Sequence, residues 1–158
     1  MSSTNTNVDL RPMSEKDLEF VNKIRNHDST RKFLRNTNLI SLDDTKTWYK
    51  TTHPKWFIIY CDGNDVGYVR TSHDTSETIC IGCDIDVDKR GNGYARAAYQ
   101  KVISDLYDKD YIVIWLEVFK NNNVAMNLYS SLGFTEINSS FKDERQRVTM
   151  VHIRQYHV

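Results

Sequence analysis

The sequence predicts a single domain of the α/β class, and two segments carry this prediction. In the first, residues 79–87 alternate as a strand does, and a glycine loop at residues 90–95 leads from them into an amphipathic helix. In the second, residues 111–119 are rich in β-branched and aromatic side chains, which is typical of a central buried strand. Asn122 then caps a further helix. Two strands that each lead into a helix indicate an α/β fold.

The N-terminal part predicts one strand and two helices. Residues 8–13 have a strand pattern, and a Ser-x-x-Asp capping box at Ser14 begins a helix that continues to about residue 26. The same signal at Ser41 begins a second helix, which carries Trp48. The inward-facing residues of the first helix are predicted to be Leu18, Val21 and Ile24.

The rest of the chain supplies a hairpin, two helices and three strands. Residues 55–61 and 66–72 predict a hairpin with a four-residue turn at 62–65. The helix after the glycine loop continues to about Tyr107, and residues 136–141 and 147–153 predict the last two strands. The inward positions of that helix are Ala95, Tyr99, Val102 and Leu106. The element order is therefore β-α-α-β-β-β-α-β-α-β-β.

Composition sets limits on organisation and partners. The chain has 158 residues, with 39% hydrophobic and 27% charged residues, which suits one domain at residues 8–158 after a polar, disordered tail at 1–7. The net charge is zero, so nucleic acid is a poor candidate partner. No apolar run approaches the length of a membrane span, and the N-terminus does not read as a signal sequence. We expect a cytoplasmic protein without a membrane partner.

Three cysteines favour a reducing compartment. Cys80 and Cys83 form a Cys-x-x-Cys pair, but on a strand their spacing places the side chains on opposite faces. No further Cys or His cluster completes a four-ligand zinc set. We therefore predict two small buried thiols and no metal.

The glycine loop favours anion binding. It lies at the start of a helix, where the first N–H groups have no partner within the helix and the helix dipole is positive. Without a Cβ at Gly91 or Gly93 the backbone can approach an anion closely, and Arg90 adds a planar donor. The loop lacks the Lys-Ser/Thr of a P-loop and the spacing of a dinucleotide fingerprint. A plain chain reversal is the alternative interpretation.

Together with the second segment, this loop resembles the GNAT superfamily of acetyl-CoA-dependent N-acetyltransferases. The Gln/Arg-x-x-Gly-x-Gly/Ala loop of that family is matched by Arg90, Gly93 and Ala95. Its second signature is matched by Leu116, Glu117, Val118, Asn122, Ala125, Leu128, Tyr129, Gly133 and Phe134. Val87 departs from the pattern, because many relatives have a proline after that strand. The resemblance covers residues 79–134 well and implies a splayed mixed sheet with helices on both faces.

The resemblance also implies a cofactor site for acetyl-CoA. The coenzyme would contact Arg90, Gly91, Asn92, Gly93, Tyr94 and Ala95. A backbone N–H near Ile85 to Val87 would meet the oxyanion of the tetrahedral intermediate. Asn122 resembles a family residue that contacts the coenzyme, although it could serve only as a helix cap.

An amine acceptor is mostly protonated at neutral pH, with a pKa of about 10, so the reaction needs a base and an acid. Glu117 is the predicted base, acting directly or through a water, and Tyr129 is the predicted acid beside the departing thiolate. A structural carboxylate and a core aromatic are the alternatives. Competing acids and bases are Asp84, Asp86 and His73. The remaining histidines are predicted to be surface or terminal residues: His27, His53, His152 and His157.

The acceptor is less well determined. Five cations within thirteen residues, Lys23, Arg25, Arg31, Lys32 and Arg35, form either a solvated face or a pocket for an anionic acceptor such as a nucleotide-linked amino sugar. The predicted substrate-binding residues are Arg25, Arg31 and Asp84. A small amine is favoured over a protein N-terminus. A non-catalytic acyl-CoA-binding module and a homodimer are also left open.

Overall fold

The computed structural model describes residues 6–140 and 146–156. Its strands are β1 (Asp9–Pro12), β2 (Phe57–Cys61), β3 (Asn64–His73), β4 (Thr78–Ile85), β5 (Val113–Phe119), β6 (Thr135–Ser140) and β7 (Arg147–Ile153). Its α-helices are α1 (Leu18–Asn26), α2 (Asp28–Arg31), α3 (Leu42–Thr52), α4 (Tyr94–Asp108) and α5 (Asn123–Ser131). One-turn 3-10 helices cover Glu15–Asp17 and Val87–Lys89.

The strands form one seven-stranded sheet in the order β1-β2-β3-β4-β5-β7-β6. Strands β4 and β5 pair in parallel, whereas β5 pairs with β7 and β6 with β7 in antiparallel fashion. The predicted α/β class with a mixed sheet is therefore confirmed. The parallel ladder has three residue pairs, from Thr78 opposite Val113 to Cys80 opposite Trp115, although both strands continue beyond it.

One α-helix was not predicted, the short helix α2. Four residues are too few to show a hydrophobic period, so the sequence carries no helical signal there. Its start is marked instead by His27, whose Nδ1 accepts a hydrogen bond from the Ser29 N–H at 3.2 Å. The observed order thus has three helices, not two, between the first and second strands.

The hairpin turn is shorter than predicted. Cys61 pairs with Asn64, so the turn consists of Asp62 and Gly63 alone, and the predicted four-residue turn at 62–65 is wrong. Both turn residues have positive φ, 50° and 79°, which is the conformation of a two-residue type I′ turn. Asp-Gly is a favoured sequence for that turn, because glycine adopts positive φ without steric cost.

The chain forms two compact units. The first comprises Met1–Thr71 and Cys83–Tyr99. Its core confirms the predicted inward face of α1 and consists of Met13, Leu18, Val21, Ile24, Ile58 and Tyr68. Arg11 and Asp17 form a two-pronged ion pair at the edge of this core, with N–O distances of 2.9 and 2.8 Å. The Ser14 N–H donates to the same carboxylate at 2.9 Å, which completes the predicted capping box.

The second unit comprises Ser72–Gly82 and Gln100–Val158. Strand β5 lies between β4 and β7, so the predicted central position is confirmed. Ile114, Leu116 and Val118 are buried on one of its faces, while Trp115 and Glu117 are half-buried on the other. Val102 and Leu106 of α4 are buried as predicted.

Several predictions concern the chain ends and the cysteines. Phe141, where a strand was predicted to end, lies outside the described residues, and so does His157. The single domain at 8–158 stays a prediction. All three cysteines are free and half-buried, so Cys80 and Cys83 are less buried than predicted. Among the residues that the structure describes, 6–140 and 146–156, no helix has both the length and the hydropathy needed to cross a bilayer.

Candidate functional site

The glycine loop lies at the junction of a strand and a helix, as predicted. Strand β4 ends at Ile85, and α4 begins at Tyr94. Gly91 and Gly93 have φ of 79° and 80°, a conformation that other residues adopt only with strain. The Gly93 carbonyl accepts the first helical hydrogen bond, from Ala97 N–H at 3.1 Å. The N–H groups of the first turn therefore have no acceptor within the helix.

The loop is also held by its own side chain and by the N-terminal segment. The Asn92 amide donates to the Lys89 carbonyl at 2.9 Å, and the Asn92 carbonyl accepts from the Thr6 hydroxyl at 2.9 Å. A Cβ at Gly93 would lie 3.1 Å from that hydroxyl oxygen. Thr6, which falls in the tail predicted to be disordered, is thus in contact with the loop, whereas residues 1–5 lie outside the described residues.

Arg90 extends from the loop toward α2. Its Nε donates to the Ile85 carbonyl at 3.2 Å. Its two terminal nitrogens donate to the Ser29 hydroxyl at 2.6 Å and to the Thr30 hydroxyl at 2.8 Å. Ser29 and Thr30 were missed by sequence reasoning, because nothing in the sequence relates two hydroxyls to an arginine sixty positions away.

At the end of β4, two carboxylates are paired with cations. Asp84 lies 3.1 Å from Nε of Arg70, and Asp86 lies 3.7 Å from Nζ of Lys23. Their side chains are 12% and 10% exposed. The Asp86 N–H donates to the Val66 carbonyl at 2.9 Å. Of the three backbone N–H groups at residues 85–87, that of Asp86 therefore already has an acceptor.

Beside these strands lies an aromatic stack of one buried ring and two partly buried rings. Tyr68 is fully buried and stacks on Trp56 with ring centroids 5.4 Å apart, and Trp48 lies 4.7 Å from Trp56. Burial, followed by the negative charge of Asp84, raises the pKa of Tyr68 well above its ordinary value. The Tyr68 hydroxyl is therefore protonated throughout the physiological pH range.

A cavity of about 540 Å³ lies in the first unit, between α1, α3 and the segment at residues 36–40. Its lining combines amides, one carboxylate, one guanidinium and two indole rings: Val21, Asn22, Arg25, Asn36, Asn38, Leu39, Ile40, Asp44, Thr45, Trp48 and Trp56. The volume falls within the range of small-molecule sites, roughly 300–1,000 Å³. Arg25 lines the cavity, whereas Arg31 does not.

Both of these arginines hold the segment at 36–40. Arg25 donates to the carbonyls of Asn38 and Asn36 at 2.6 and 2.7 Å. Arg31 donates to the Thr37 carbonyl at 2.8 Å and pairs with Asp28 at 2.5 Å. Burial lowers the pKa of Arg25, which still leaves it charged. These contacts account for both residues as structural anchors and leave their predicted contact with substrate a prediction.

In the second unit, Glu117 lies on the half-buried face of β5. It is opposite Thr149 on β7, and Trp115 and Phe119 precede and follow it on the same face. Its role as the base stays a prediction.

Tyr129 and Asn122 lie on the helix that follows. Tyr129 is half-buried and contacts the Phe134 ring edge-on, with centroids 6.1 Å apart. The Asn122 side chain accepts from the Ala125 N–H at 3.3 Å, which confirms the predicted cap of α5. Gly133, with φ of 99°, ends the helix. This capping role of Asn122 is compatible with a further contact to coenzyme.

Two histidines of the second unit pair with tyrosines. His73 Nδ1 lies 2.5 Å from the Tyr111 hydroxyl, and His152 Nδ1 lies 2.5 Å from the Tyr107 hydroxyl. His152 also packs edge-on against Phe134, so the prediction that it is a surface residue is wrong. Its alternation with Val148 and Met150 along β7 was the missed signal. Burial lowers the pKa of His152 and raises the pKa of Tyr107 to about 12.

The described residues contain no cluster of metal ligands, and the Cys83 thiol is not activated. Within residues 6–140 and 146–156, no three His, Cys, Asp or Glu side chains come together as ligands would. The Cys83 N–H donates to the Tyr99 hydroxyl at 2.9 Å, and burial raises the pKa of the Cys83 thiol. A thiol in that state is a poor nucleophile.

Comparison with known proteins identifies relatives. The sequence model of the acetyltransferase (GNAT) family matches residues 21–134, which is most of the chain. A ribosomal protein bS18-alanine N-acetyltransferase of Escherichia coli K12 is 31% identical over 75 residues, covering 48% of this chain and 51% of that protein. The chain thus spans about half the length of the curated relatives it matches.

Solved structures share the fold at low identity. Spermidine N-acetyltransferase from Vibrio cholerae, in complex with CoA and spermine, superposes with a TM-score of 0.85 at 18% identity, covering 92% of this chain and 95% of that one. Ribosomal-protein-alanine N-acetyltransferase from Brucella melitensis gives a TM-score of 0.76 at 18% identity, covering 92% and 99%. At these identities the likeness establishes the fold alone.

Proposed function

This chain belongs to the GNAT acetyltransferase family, and we propose that it transfers an acetyl group from acetyl-CoA to the primary amine of a small molecule. The family supplies the reaction type and the acetyl donor. The observation that carries the choice of acceptor is the 540 Å³ cavity between α1, α3 and residues 36–40. Its volume suits a small molecule, and its indole rings, amides and charged groups suit a polar one.

The glycine loop is proposed to hold the pyrophosphate of the coenzyme. Gly91 and Gly93 allow the positive-φ form of the loop, in which the backbone can approach an anion closely. The unpaired N–H groups and positive dipole at the start of α4 favour an anion there. The proposed contacts are those of Ile85, Val87, Gly91, Asn92, Gly93, Tyr94, Ala95 and Asn122.

The proposed chemistry is direct attack by the amine on the thioester. Glu117, directly or through a water, takes one proton from the ammonium and so produces the neutral amine that attacks. The tetrahedral intermediate loses a second nitrogen proton to solvent, and Tyr129 protonates the departing thiolate and regains its own proton from solvent. The nitrogen forms a bond to the acetyl carbon, and the carbon–sulfur bond breaks to release coenzyme A. These roles rest on the position of each residue in the family signature, and both side chains are half-buried.

A second candidate acceptor is the N-terminal alanine of a protein. The curated relatives favour it, because they are named as enzymes that acetylate ribosomal protein bS18. The spermidine enzyme shares the fold equally and acts on a small amine by its name. We place the small amine first because the cavity has the dimensions of a small-molecule site. A homodimer and a cytoplasmic location stay predictions.

An acceptor screen tests the proposal. Thiol release from acetyl-CoA is followed with amino-sugar nucleotides, polyamines, amino acids and peptides with an N-terminal alanine. We expect turnover with at least one small amine, with a KM that rises when Trp48→Ala or Asp44→Asn alters the cavity. Turnover with the alanyl peptides alone would replace the first acceptor class by the second. Coenzyme binding without turnover on any amine would indicate a non-catalytic acyl-CoA-binding module.

A further inference from the structure

We propose that Arg90 is a positioning residue for the acceptor cavity and that it acts through α2 without contacting the phosphates of the coenzyme. The proposal rests on the proposed function in one respect, namely that the cavity receives the acceptor. It concerns an arginine whose place in the glycine loop would otherwise assign it to phosphate binding.

Each of the three guanidinium nitrogens of Arg90 has an acceptor within the chain, which uses three of the five N–H groups. Its Nε and both terminal nitrogens donate to protein oxygens, at distances between 2.6 and 3.2 Å. Two of these bonds go to Ser29 and Thr30, which are on α2. Thr30 is only 6% exposed, so its bond is shielded from water. Losing such a bond leaves buried polar groups without partners, which is costly.

Helix α2 cannot hold its own position. A helix of four residues has little intrinsic stability, because nucleation is unfavourable and few internal bonds follow. Its N-terminus is capped by His27, and the Ser29 hydroxyl also lies 2.8 Å from Nδ1 of that residue. The placement of α2 therefore depends on the groups that contact it from outside, and Arg90 provides two of those contacts.

The next contact leads from α2 to the cavity wall. Arg31, the last residue of α2, donates to the Thr37 carbonyl at 2.8 Å. The neighbouring carbonyls of Asn36 and Asn38 accept from Arg25. The side chains lining the cavity from this segment are Asn36, Asn38, Leu39 and Ile40. Arg90 is thus connected to the cavity wall through α2, Arg31 and the carbonyl of Thr37.

A phosphate ligand and a positioning residue predict different results. If Arg90 positions α2, then Arg90→Gln and the double variant Ser29→Ala/Thr30→Val both remove the two hydrogen bonds between Arg90 and α2, so both raise exchange there. Arg90→Lys keeps the charge but cannot make three divergent bonds, so it behaves like Arg90→Gln. If Arg90 instead binds phosphate, Arg90→Lys retains most of the coenzyme affinity, and the hydroxyl variant leaves both measurements unchanged.

Amide hydrogen exchange and calorimetry with coenzyme A separate these cases on the full chain. We expect exchange of residues 28–40 to rise about tenfold or more in Arg90→Gln, Arg90→Lys and the double variant. The dissociation constant for coenzyme A should stay within about threefold of wild type. Lys89→Gln, which removes a neighbouring half-buried cation, is the control and should change neither exchange nor affinity. Exchange within β5 shows whether each variant keeps its fold. If the double variant does not, Thr30→Val alone takes its place in the comparison.

Two results would overturn the proposal. One is unchanged exchange at 28–40 in the double variant. The other is a coenzyme affinity that falls at least tenfold in Arg90→Gln and recovers in Arg90→Lys. Neither measurement requires turnover, so failure of the acceptor screen leaves this test intact. Where an acceptor is found, its KM should rise in the double variant while the KM for acetyl-CoA does not.

Discussion

Glu117 and Tyr129 are the residues through which the proposed chemistry is most directly tested. Removing a general base costs about 10²–10⁴ in rate, so we expect Glu117→Gln to lower kcat about a hundredfold or more. Tyr129→Phe should lower it about tenfold, because water can partly replace the acid. Coenzyme affinity, measured by calorimetry, should be unchanged in both. Wild-type turnover in the two variants would remove these roles while leaving the fold assignment as it is.

Asp17 is expected to matter for stability. Burial would raise its pKa, but hydrogen bonds from Arg11 and Ser14 together with the charge of Arg11 lower the pKa below its ordinary value. Asp17→Asn keeps the shape and removes the charge, so it should cost about 2 kcal/mol of unfolding free energy at pH 7. Urea unfolding measures this. Glu19→Gln, at an exposed site nearby, should stay within about 0.5 kcal/mol of wild type.

His152 is expected to give stability a pH dependence. Because burial lowers its pKa in the folded state, the unfolded chain takes up a proton first as pH falls below about 6.5. Its contribution to stability is therefore present above that pH and declines below it. We expect His152→Gln to flatten the change in urea midpoint between pH 7.5 and 5.5. His53→Asn, at an exposed helix end, is the control, and equal slopes in all three proteins would contradict the prediction.

At the scale of single residues, the sequence predicted local conformation better than it predicted hydrogen-bond and packing partners. Gly91 and Gly93 could be recognised because their conformation is a local property. The partners of Arg90 could not, since the contacts with Ser29 and Thr30 exist only after the chain has folded. For His152 the alternation along β7 was a usable signal that was missed, whereas its contacts with Tyr107 and Phe134 come from other elements and could not be predicted.

Among the elements, the β2–β3 hairpin offers a matched pair of glycines. A Cβ at Gly67 would overlap the Asp84 carbonyl oxygen, whereas a Cβ at Gly63 would meet nothing within 4 Å. Gly67→Ala must therefore displace backbone and should cost about 3 kcal/mol. Gly63→Ala incurs only positive-φ strain, about 1 kcal/mol. Urea unfolding gives both values, and a larger loss for Gly63→Ala would show that the strands accommodate the methyl group.

Elements with strong end signals were predicted well, and those without them were not. The capping boxes at Ser14 and Ser41 begin helical segments in the structure, and Asn122 begins α5. Helix α2 has only an imidazole cap, which is an uncommon signal. The turn at Asp62 and Gly63 was assigned too many residues, because strand ends carry little periodic information.

For the molecule as a whole, coenzyme binding should raise stability. A ligand that binds only the folded state, present at a concentration a hundred times its dissociation constant, adds about 2.7 kcal/mol to the free energy of unfolding. For a chain of this size that corresponds to a rise in Tm of roughly 5–10 °C. Thermal unfolding followed by circular dichroism, with and without coenzyme A, measures the shift. Adenosine at the same concentration is the control, and an equal shift with it would mean that the phosphates contribute little.

Strand order could not be obtained from local patterns. Strand β7 pairs in antiparallel fashion with both β5 and β6, whereas β4 and β5 pair in parallel. Such an arrangement depends on which edges meet during folding. Only the resemblance of residues 79–134 to a known family anticipated a mixed sheet.

One edge of the sheet is formed by β1, which has four residues and ends at Pro12. A strand this short offers few free amides to another chain, and proline has no N–H to donate. Fibrous association by strand addition is thereby discouraged on that side, so the protein should tolerate high concentration better than a variant in which Pro12 is replaced by valine.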